Sequence, residues 1–336
     1  MTIRNRPKRL EVILVSPQPK AGTVRVGFSF YGIITSMNRL PIIGVLAAVI
    51  VVGLFSHLFT VRETQTLDTQ KLSVAASFYP LAFFASEIGG DNVDVFTVTP
   101  AGAEPHDYEP TVADIIKIQG SRVLLLNGGN FEPWAKRVEQ NIDPNRTHVV
   151  VVGDGLFASG TADPHLWLSP PVAKQMVDTI AGALTAAGPL HEPDFRANAN
   201  TLKRKLDELD IAYREGLAHC KAYDIVTSHA AFGYVAAAYG LRQIPIAGLS
   251  PDAEPSPRQL ADIADFVRTN NIQVIFFENL VSPKLAETVA NEIGATTMVL
   301  DPLEGLSEHD RMAGEDYFTK MRQNLSNLET ALSCTK

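Results

Sequence analysis

Two sets of four short apolar runs, separated by one long stretch without any, restrict the fold of this chain more than any other feature. The first set is LSVAASF (72–78), VDVFTVT (93–99), RVLLLN (122–127) and HVVVVG (148–153). The second is DIVTS (224–228), QIPIAG (243–248), QVIFFE (273–278) and TTMVLD (296–301). Near-continuous apolar strands alternating with helical segments are buried on both faces, as in parallel sheets flanked by helices. The pattern predicts an α/β protein of two similar lobes, each a parallel-type sheet covered by helices. Between the sets, FRANANTLKRKLDELDIAYREGL (195–217) has no Gly or Pro until Gly216, and Leu202, Leu206, Leu209 and Tyr213 recur at helical spacing. One long, rigid helix is expected to join the lobes. The expected division is an N-terminal lobe at 72–190, a linking helix at 191–220 and a C-terminal lobe at 221–336. Two helix starts are also legible. Ser256, Pro257 and Gln259 form a capping box, and Thr111 is an N-cap with Asp114 in the first turn.

Ahead of the lobes the chain is of a different kind. Residues 1–40 hold seven Lys/Arg and one Glu, a charge of +6, whereas the 336-residue chain as a whole carries −8. This basic extension runs into a segment (41–60) whose residues 42–59 contain no Asp, Glu, Lys or Arg. That is about the length that spans a bilayer. Basic residues before the span, with Glu63 and Asp68 beyond it, place the head in the cytoplasm and the lobes outside. The segment is a cleaved signal sequence or a retained anchor, and the lack of a small-x-small triplet after it favours retention. Met37 and Arg39 would also begin a normal short signal head, which leaves residues 1–36 as an extension or an untranslated stretch. A polar tether (61–71) follows. The chain has two cysteines, Cys220 and Cys334. In an exported chain such a pair is expected to form a disulfide, and two thiols are too few for a thiolate zinc site.

The histidines carry the chemistry. His106, His165 and His229 each follow a predicted strand at its carboxyl end, and Asp301 closes the last strand in the same way. Ligands of open α/β sheets bind at that edge. A lone histidine there is commonly a hydrogen-bonding loop residue, but four positions meeting the same condition across two lobes describe a site. Three imidazoles and a carboxylate suit four-coordinate zinc, whereas oxygen-rich sites suit manganese. His57, His148, His191, His219 and His309 do not meet the condition and are read as structural or exposed.

Four stretches in order, PAGAEPHDYEPTVADI (100–115), DPHLWLSP (163–170), SHAAFGYVAAAYGL (228–241) and EPSPRQL (254–260), resemble the metal-binding receptors of ABC-type zinc and manganese importers. The resemblance covers about residues 72–334. It implies two lobes joined by one long helix, a single metal in the inter-lobe cleft, and delivery of that metal to an ABC-type permease. It puts the first three ligands on His106, His165 and His229. Manganese members tend to carry Glu at the third position, so His229 points to Zn2+ as the cargo, with Mn2+ as the alternative. For the fourth ligand, LDPLEGL (300–306) offers Asp301 first and Glu304 as the alternative. The chain departs from the pattern in having no histidine in GDGLFASGTA (153–162), no lipid-anchor cysteine, and the N-terminal extension. Tyr108, Trp167 and Phe232 are expected to pack a dry shell around the ligands. Glu104, Glu109 and Glu278 either support ligands or pair with surface cations, and Phe276 and Phe277 are core.

Other functions fit less well. The net negative charge, with no basic patch interleaved with aromatics, argues against nucleic-acid binding. No H-E-x-x-H helix, G-x-S-x-G elbow or phosphate loop is present to make a hydrolase. A surface adhesin that uses the metal structurally is the remaining alternative. The expected working unit is an extracytoplasmic monomer, in the periplasm or anchored to the inner membrane by residues 42–59.

Overall fold

The computed structural model describes residues 71–157, 163–251, 255–280 and 282–335. The basic head, the apolar segment 42–59 and most of the tether lie outside them. Among the described residues no helix is long and apolar enough to cross a membrane.

Each lobe is built on a four-stranded, wholly parallel sheet. Strands β1 (Leu72–Ala76), β2 (Val93–Thr97), β3 (Val123–Leu126) and β4 (His148–Val151) lie in the order β2-β1-β3-β4. Strands β5 (Asp224–Thr227), β6 (Arg242–Pro245), β7 (Val274–Phe277) and β8 (Thr296–Val299) repeat that order as β6-β5-β7-β8. In both sheets the chain runs outward to its second strand and then crosses back. The direction of winding therefore reverses between β1 and β3 and between β5 and β7, where a crevice opens at the carboxyl edge.

The two-residue period of the strands explains why both faces are apolar. Val74, Ala76, Val123 and Leu125 face one large core, while Ala75, Leu124 and Leu126 face an outer cluster with Ile118, Trp134 and Val138. In the second sheet Ile225, Val274 and Phe276 join the large core, and Val226 and Ile275 pack outward on Val267, Ala286 and Val289. The outer faces are covered by α2 (Val112–Gly120) and α3 (Ala135–Glu139) in one lobe, and by α7 (Pro257–Thr269) and α8 (Lys284–Ile293) in the other. Helix α7 opens with the expected Ser256/Gln259 capping box, and α2 opens at the expected N-cap Thr111, where Asp114 completes a capping box as well. Every strand but β6 ends one or two residues short of its apolar run. The trailing residues include polar ones, among them Ser77, Asn127, Ser228, Glu278 and Asp301, and backbone bonds such as Ser77 N–H to the carbonyl of Leu125 continue the pairing beyond the strands.

The long helix α5 (Glu192–Gly216) spans 25 residues after a short turn at Pro189–His191. It buries Leu202, Leu206, Leu209 and Tyr213, the residues of the predicted stripe. It is a wall of the N-terminal lobe as much as a connector, because it packs along α1 (Tyr79–Gly89) and α4 (Pro170–Ala187). At its far end the Tyr213 hydroxyl donates to the carbonyl of Met321 at 2.7 Å. Met321 belongs to α10 (Tyr317–Ala331), which follows the short α9 (Glu308–Met312) and is capped by an Asp316/Thr319 box. Helix α10 reaches back to the first lobe, where Tyr317 meets Phe83 and Phe84 at centroid separations of 5.7 and 5.0 Å. A disulfide joins Cys220, just past α5, to Cys334, just past α10. The large core is continuous across the lobes, with Trp167 and Leu168 of the first packed with Phe232, Leu300 and Tyr317 of the second.

Candidate metal centre

His106, His165, His229 and Glu304 converge in the crevice between the lobes, each offering one donor atom, with all four atoms within 4.8 Å of one another. His106 stands on the loop after β2, which continues the ladder through Val98 and Thr99 before turning out at Gly102. That loop is hydrogen-bonded across the crevice, Gly102 N–H donating to the carbonyl of Leu306 at 3.1 Å. His165 follows Pro164, whose carbonyl accepts from Asn127 at the end of β3 at 2.9 Å, and it precedes the turn Leu166–Leu168 that leads into α4. His229 follows β5 directly. Its carbonyl accepts from Thr227 Oγ1 and Gln243 Nε2, so side chains of β5 and β6 hold its backbone.

His165, His229 and Glu304 are fully or almost fully buried, and His106 is 9 % exposed. The Glu304 carboxylate oxygen Oε1 lies 3.2 Å from His106 Nε2, 3.1 Å from His165 Nε2 and 3.4 Å from His229 Nε2. The Nε2 atoms of His165 and His229 are 3.3 Å apart. Donors at about 2.0–2.1 Å from a tetrahedral zinc ion are separated by about 3.3–3.4 Å, so these four pairs are within about 0.3 Å of the spacing such an ion requires.

The outer ring nitrogens settle which tautomers are present. His165 Nδ1 is 2.7 Å from Asp163 Oδ1, and His229 Nδ1 is 2.6 Å from Glu278 Oε1. A carboxylate only accepts, so both Nδ1 atoms carry hydrogen, and in the neutral form of each ring the Nε2 lone pair points into the cluster, toward the other ring and Glu304. Lone pairs converging in a dry pocket repel unless a cation or protons lie among them. The charges around the rings favour such protons. Burial by itself depresses His229, but Glu278 and Glu304 outweigh it and raise its pKa to about 10. Burial likewise opposes the rise of His165, which Asp163 and Glu304 bring about. Burial would raise Glu304, yet the three imidazoles hold it well below the usual carboxylate range. Glu104 beside it is pushed up to about 9 by burial and by Glu304, so one anion rather than two faces the rings.

Aromatic side chains keep the pocket dry. Phe131 lies against His106 and Trp167 against His165, at 4.6 and 5.3 Å between centroids, with Phe78 packed on both Phe131 and Trp167. Asp163 rests on the first turn of α6 (Gly233–Tyr239), where a Cβ at Gly233 would come within 2.5 Å of its Oδ2. A glycine is required there for the carboxylate to reach His165.

The expected shell needs correction at two places. Asp301, the first choice for the fourth carboxylate, is outside the cluster: its oxygens accept from Leu303 N–H and Asn279 Nδ2, each at 2.8 Å, and face Lys320. Glu304, the alternative, is the carboxylate among the imidazoles. Tyr108 does not line the pocket either, because its hydroxyl donates to Asp114 at the start of α2. Trp167 and Phe232 are buried in the core beside the ligands as expected. Of the three glutamates, Glu278 supports His229, Glu104 accepts from His106 N–H at 3.2 Å, and Glu109 pairs at the surface with Arg137. His148 begins β4 and His309 is 89 % exposed, both away from the site. Reading the sequence missed Asp163, although it stands two residues before His165, and it missed Phe131 and Glu132. The buried Glu132 accepts from Ser77 Oγ and from the N–H groups of Asn127 and Gly128, fixing the turn after β3. The signal for that turn is NGGN (127–130), with Gly128, Gly129 and Asn130 all at positive φ.

Two doubly wound lobes with an imidazole-rich pocket at their facing carboxyl edges define a cleft-type metal-binding protein. A family model described as "Zinc-uptake complex component A periplasmic" (ZnuA) matches residues 74–331, and the chain belongs to that family. It is 36% identical to the high-affinity zinc uptake system protein ZnuA of Bacillus subtilis over 280 residues, which are 78% of this chain and 88% of that protein. It is 38% identical to the zinc-binding protein AdcA of Streptococcus pyogenes serotype M1 over 294 residues, 80% of this chain. The matched part is 57% of AdcA, so the chain spans little more than half the length of that relative. Among solved structures, the Zn(II)-bound ZnuA-like domain of Streptococcus pneumoniae AdcA superposes with a TM-score of 0.71 at 39% identity, covering 78% of this chain and 99% of that domain.

Proposed function

We propose that this chain is an extracytoplasmic receptor that captures Zn2+ in the cleft and delivers it to an ABC-type membrane permease, with His106, His165, His229 and Glu304 as its ligands. The observation that carries the reading is the pair of Nε2 atoms on His165 and His229, 3.3 Å apart and both facing the Glu304 carboxylate. Their outer nitrogens are locked by Asp163 and Glu278, the arrangement that fixes metal-ligating histidines and raises their basicity. Three nitrogens and one oxygen favour zinc over manganese. The names of the relatives support the same cargo. Four protein donors leave no open coordination position, so the centre is suited to holding an ion rather than to activating water on it. The apolar segment 42–59 follows a basic head, and the reading includes its retention as the tether that keeps the receptor at the membrane. Elemental analysis of protein purified without added metal, with competition titrations of zinc against manganese, tests the cargo. Stoichiometric zinc and a preference over manganese of several orders of magnitude are expected; co-purified manganese or an equal affinity would overturn it. Amino-terminal sequencing of the membrane fraction tests the tether, and a mature chain beginning near residues 60–72 would show cleavage instead.

A further inference from the structure

We infer that Asp301 is a positioning residue that aims Glu304 into the cleft by holding Leu303 in the left-handed conformation. This rests on the proposed role of Glu304 as fourth ligand. Leu303 has φ 52° and is fully buried in the core shared by the two lobes. A branched, buried side chain seldom adopts that backbone, which is strained and persists only where the surroundings enforce it. The enforcement is visible. Asp301 Oδ1 accepts from the N–H of Leu303 at 2.8 Å, closing a turn over Pro302.

Asp301 is itself bracketed from three directions. From α10, Asn324 pairs with both of its backbone groups, accepting its N–H at 2.9 Å and donating to its carbonyl at 2.6 Å. Beyond the end of β7, Asn279 Nδ2 donates to Oδ2 at 2.8 Å. The buried ammonium of Lys320 stands 3.9 Å from Oδ2 and is paired with Asp310 at 2.7 Å. The first lobe holds the next residue, Trp167 Nε1 donating to the carbonyl of Pro302 at 2.7 Å. With Asp301 and Pro302 fixed and Leu303 forced left-handed, the chain turns the following side chain, Glu304, toward the three imidazoles. The carboxylate offered by the strand-end rule is thus the frame, and the one three residues later is the group it presents.

The test uses Asp301→Ala and Asn324→Ala in the otherwise intact protein, each also combined with Glu304→Ala. Zinc affinity is read by competition with a chromophoric chelator, coordination by the visible absorption of the cobalt(II)-loaded protein, and folding by thermal melting. Each single variant is expected to weaken zinc about 10- to 100-fold, the usual cost of losing a group that orients a ligand. The cobalt spectrum of each should move toward that of Glu304→Ala, because both lose the carboxylate. On the Glu304→Ala background neither change should weaken zinc further, a coupling that a merely structural role does not produce. An equal fold-loss on both backgrounds, or an unchanged cobalt spectrum in a folded single variant, overturns the inference while leaving Glu304 as a ligand. If Glu304→Ala itself binds zinc like the parent, the ligand assignment fails and the inference with it. Should Asp301→Ala not fold because Lys320 loses a partner, Asn324→Ala, which leaves that carboxylate in place, decides alone.

Discussion

Replacing Glu278 by Ala should weaken zinc binding by a factor that depends on pH, greatest in mild alkali and shrinking as the medium is acidified. Two effects of opposite sign meet at the 2.6 Å contact between Glu278 and His229 Nδ1. Without the carboxylate the buried N–H loses its acceptor and the ring its tautomer, at about 1–3 kcal/mol. At 1.4 kcal/mol per factor of ten that is roughly 5- to 150-fold in affinity. The same carboxylate, together with Glu304, also raises His229 against the opposing effect of burial, to about 10. In the parent protein zinc must therefore expel a proton from His229 at every pH below about 10, and apparent affinity falls by about tenfold for each unit of acidification. Removing Glu278 lowers that pKa, so the variant escapes part of the proton competition. The loss relative to the parent should be largest near pH 9 and diminish toward pH 7 by up to tenfold per unit. Competition titrations from pH 6.5 to 9 measure the curve. Calorimetry in buffers of different ionisation enthalpy counts the released protons, with fewer expected from Glu278→Ala. The same fold-loss at every pH, with unchanged proton release, would refute this account of how Glu278 and His229 are coupled.

Replacing His106, His165 or His229 by Ala should each cost orders of magnitude in zinc affinity with the fold retained, whereas His148→Ala and His309→Ala should do little; equilibrium competition with circular dichroism checks both. His229→Glu should shift preference toward manganese by supplying a hard oxygen donor, and rejection of manganese as strong as the parent's would remove the third position as the determinant of metal choice. Opening the Cys220–Cys334 disulfide, whose partners are 114 residues apart, releases a restriction on the unfolded chain worth about 4–5 kcal/mol in the chain-entropy relation. The double serine variant should melt at a lower temperature yet bind zinc as the parent does, since neither sulfur belongs to the cluster.

The histidines could be found in the sequence because strand ends are legible: β-rich runs announce the sheet, and the loops that follow β2, β4 and β5 and carry His106, His165 and His229 start from its carboxyl edge. The choice between Asp301 and Glu304 was not legible in the same way. Both follow β8, and which one enters the crevice depends on a left-handed Leu303 that no apolar periodicity encodes. Asp163 and Glu278 share that difficulty. A carboxylate that orients an imidazole looks like any surface acid until the partner ring is in place. The long helix shows the converse. Its stripe of Leu202, Leu206, Leu209 and Tyr213 announced a helix with one apolar face, but not that this face would be spent on α1 and α4 as part of a core. Periodicity reports that a face is covered and leaves open what covers it.

Helix α10 is synthesised after both sheets, and the first lobe depends on it. Tyr317 and Phe318 cover Phe83 and Phe84 on α1, an element made nearly a whole domain-pair earlier. Asn324 and Lys320 complete the frame of the loop that carries Glu304. A chain emerging amino-terminus first therefore passes through a period in which both sheets can form but the cleft has no fixed fourth donor. Such distant pairings close slowly, because loop entropy is lost before the contacts are gained. The order of synthesis thus delays presentation of the Glu304 carboxylate until α10 has docked, and a chain cut short before α10 should lack that fixed donor.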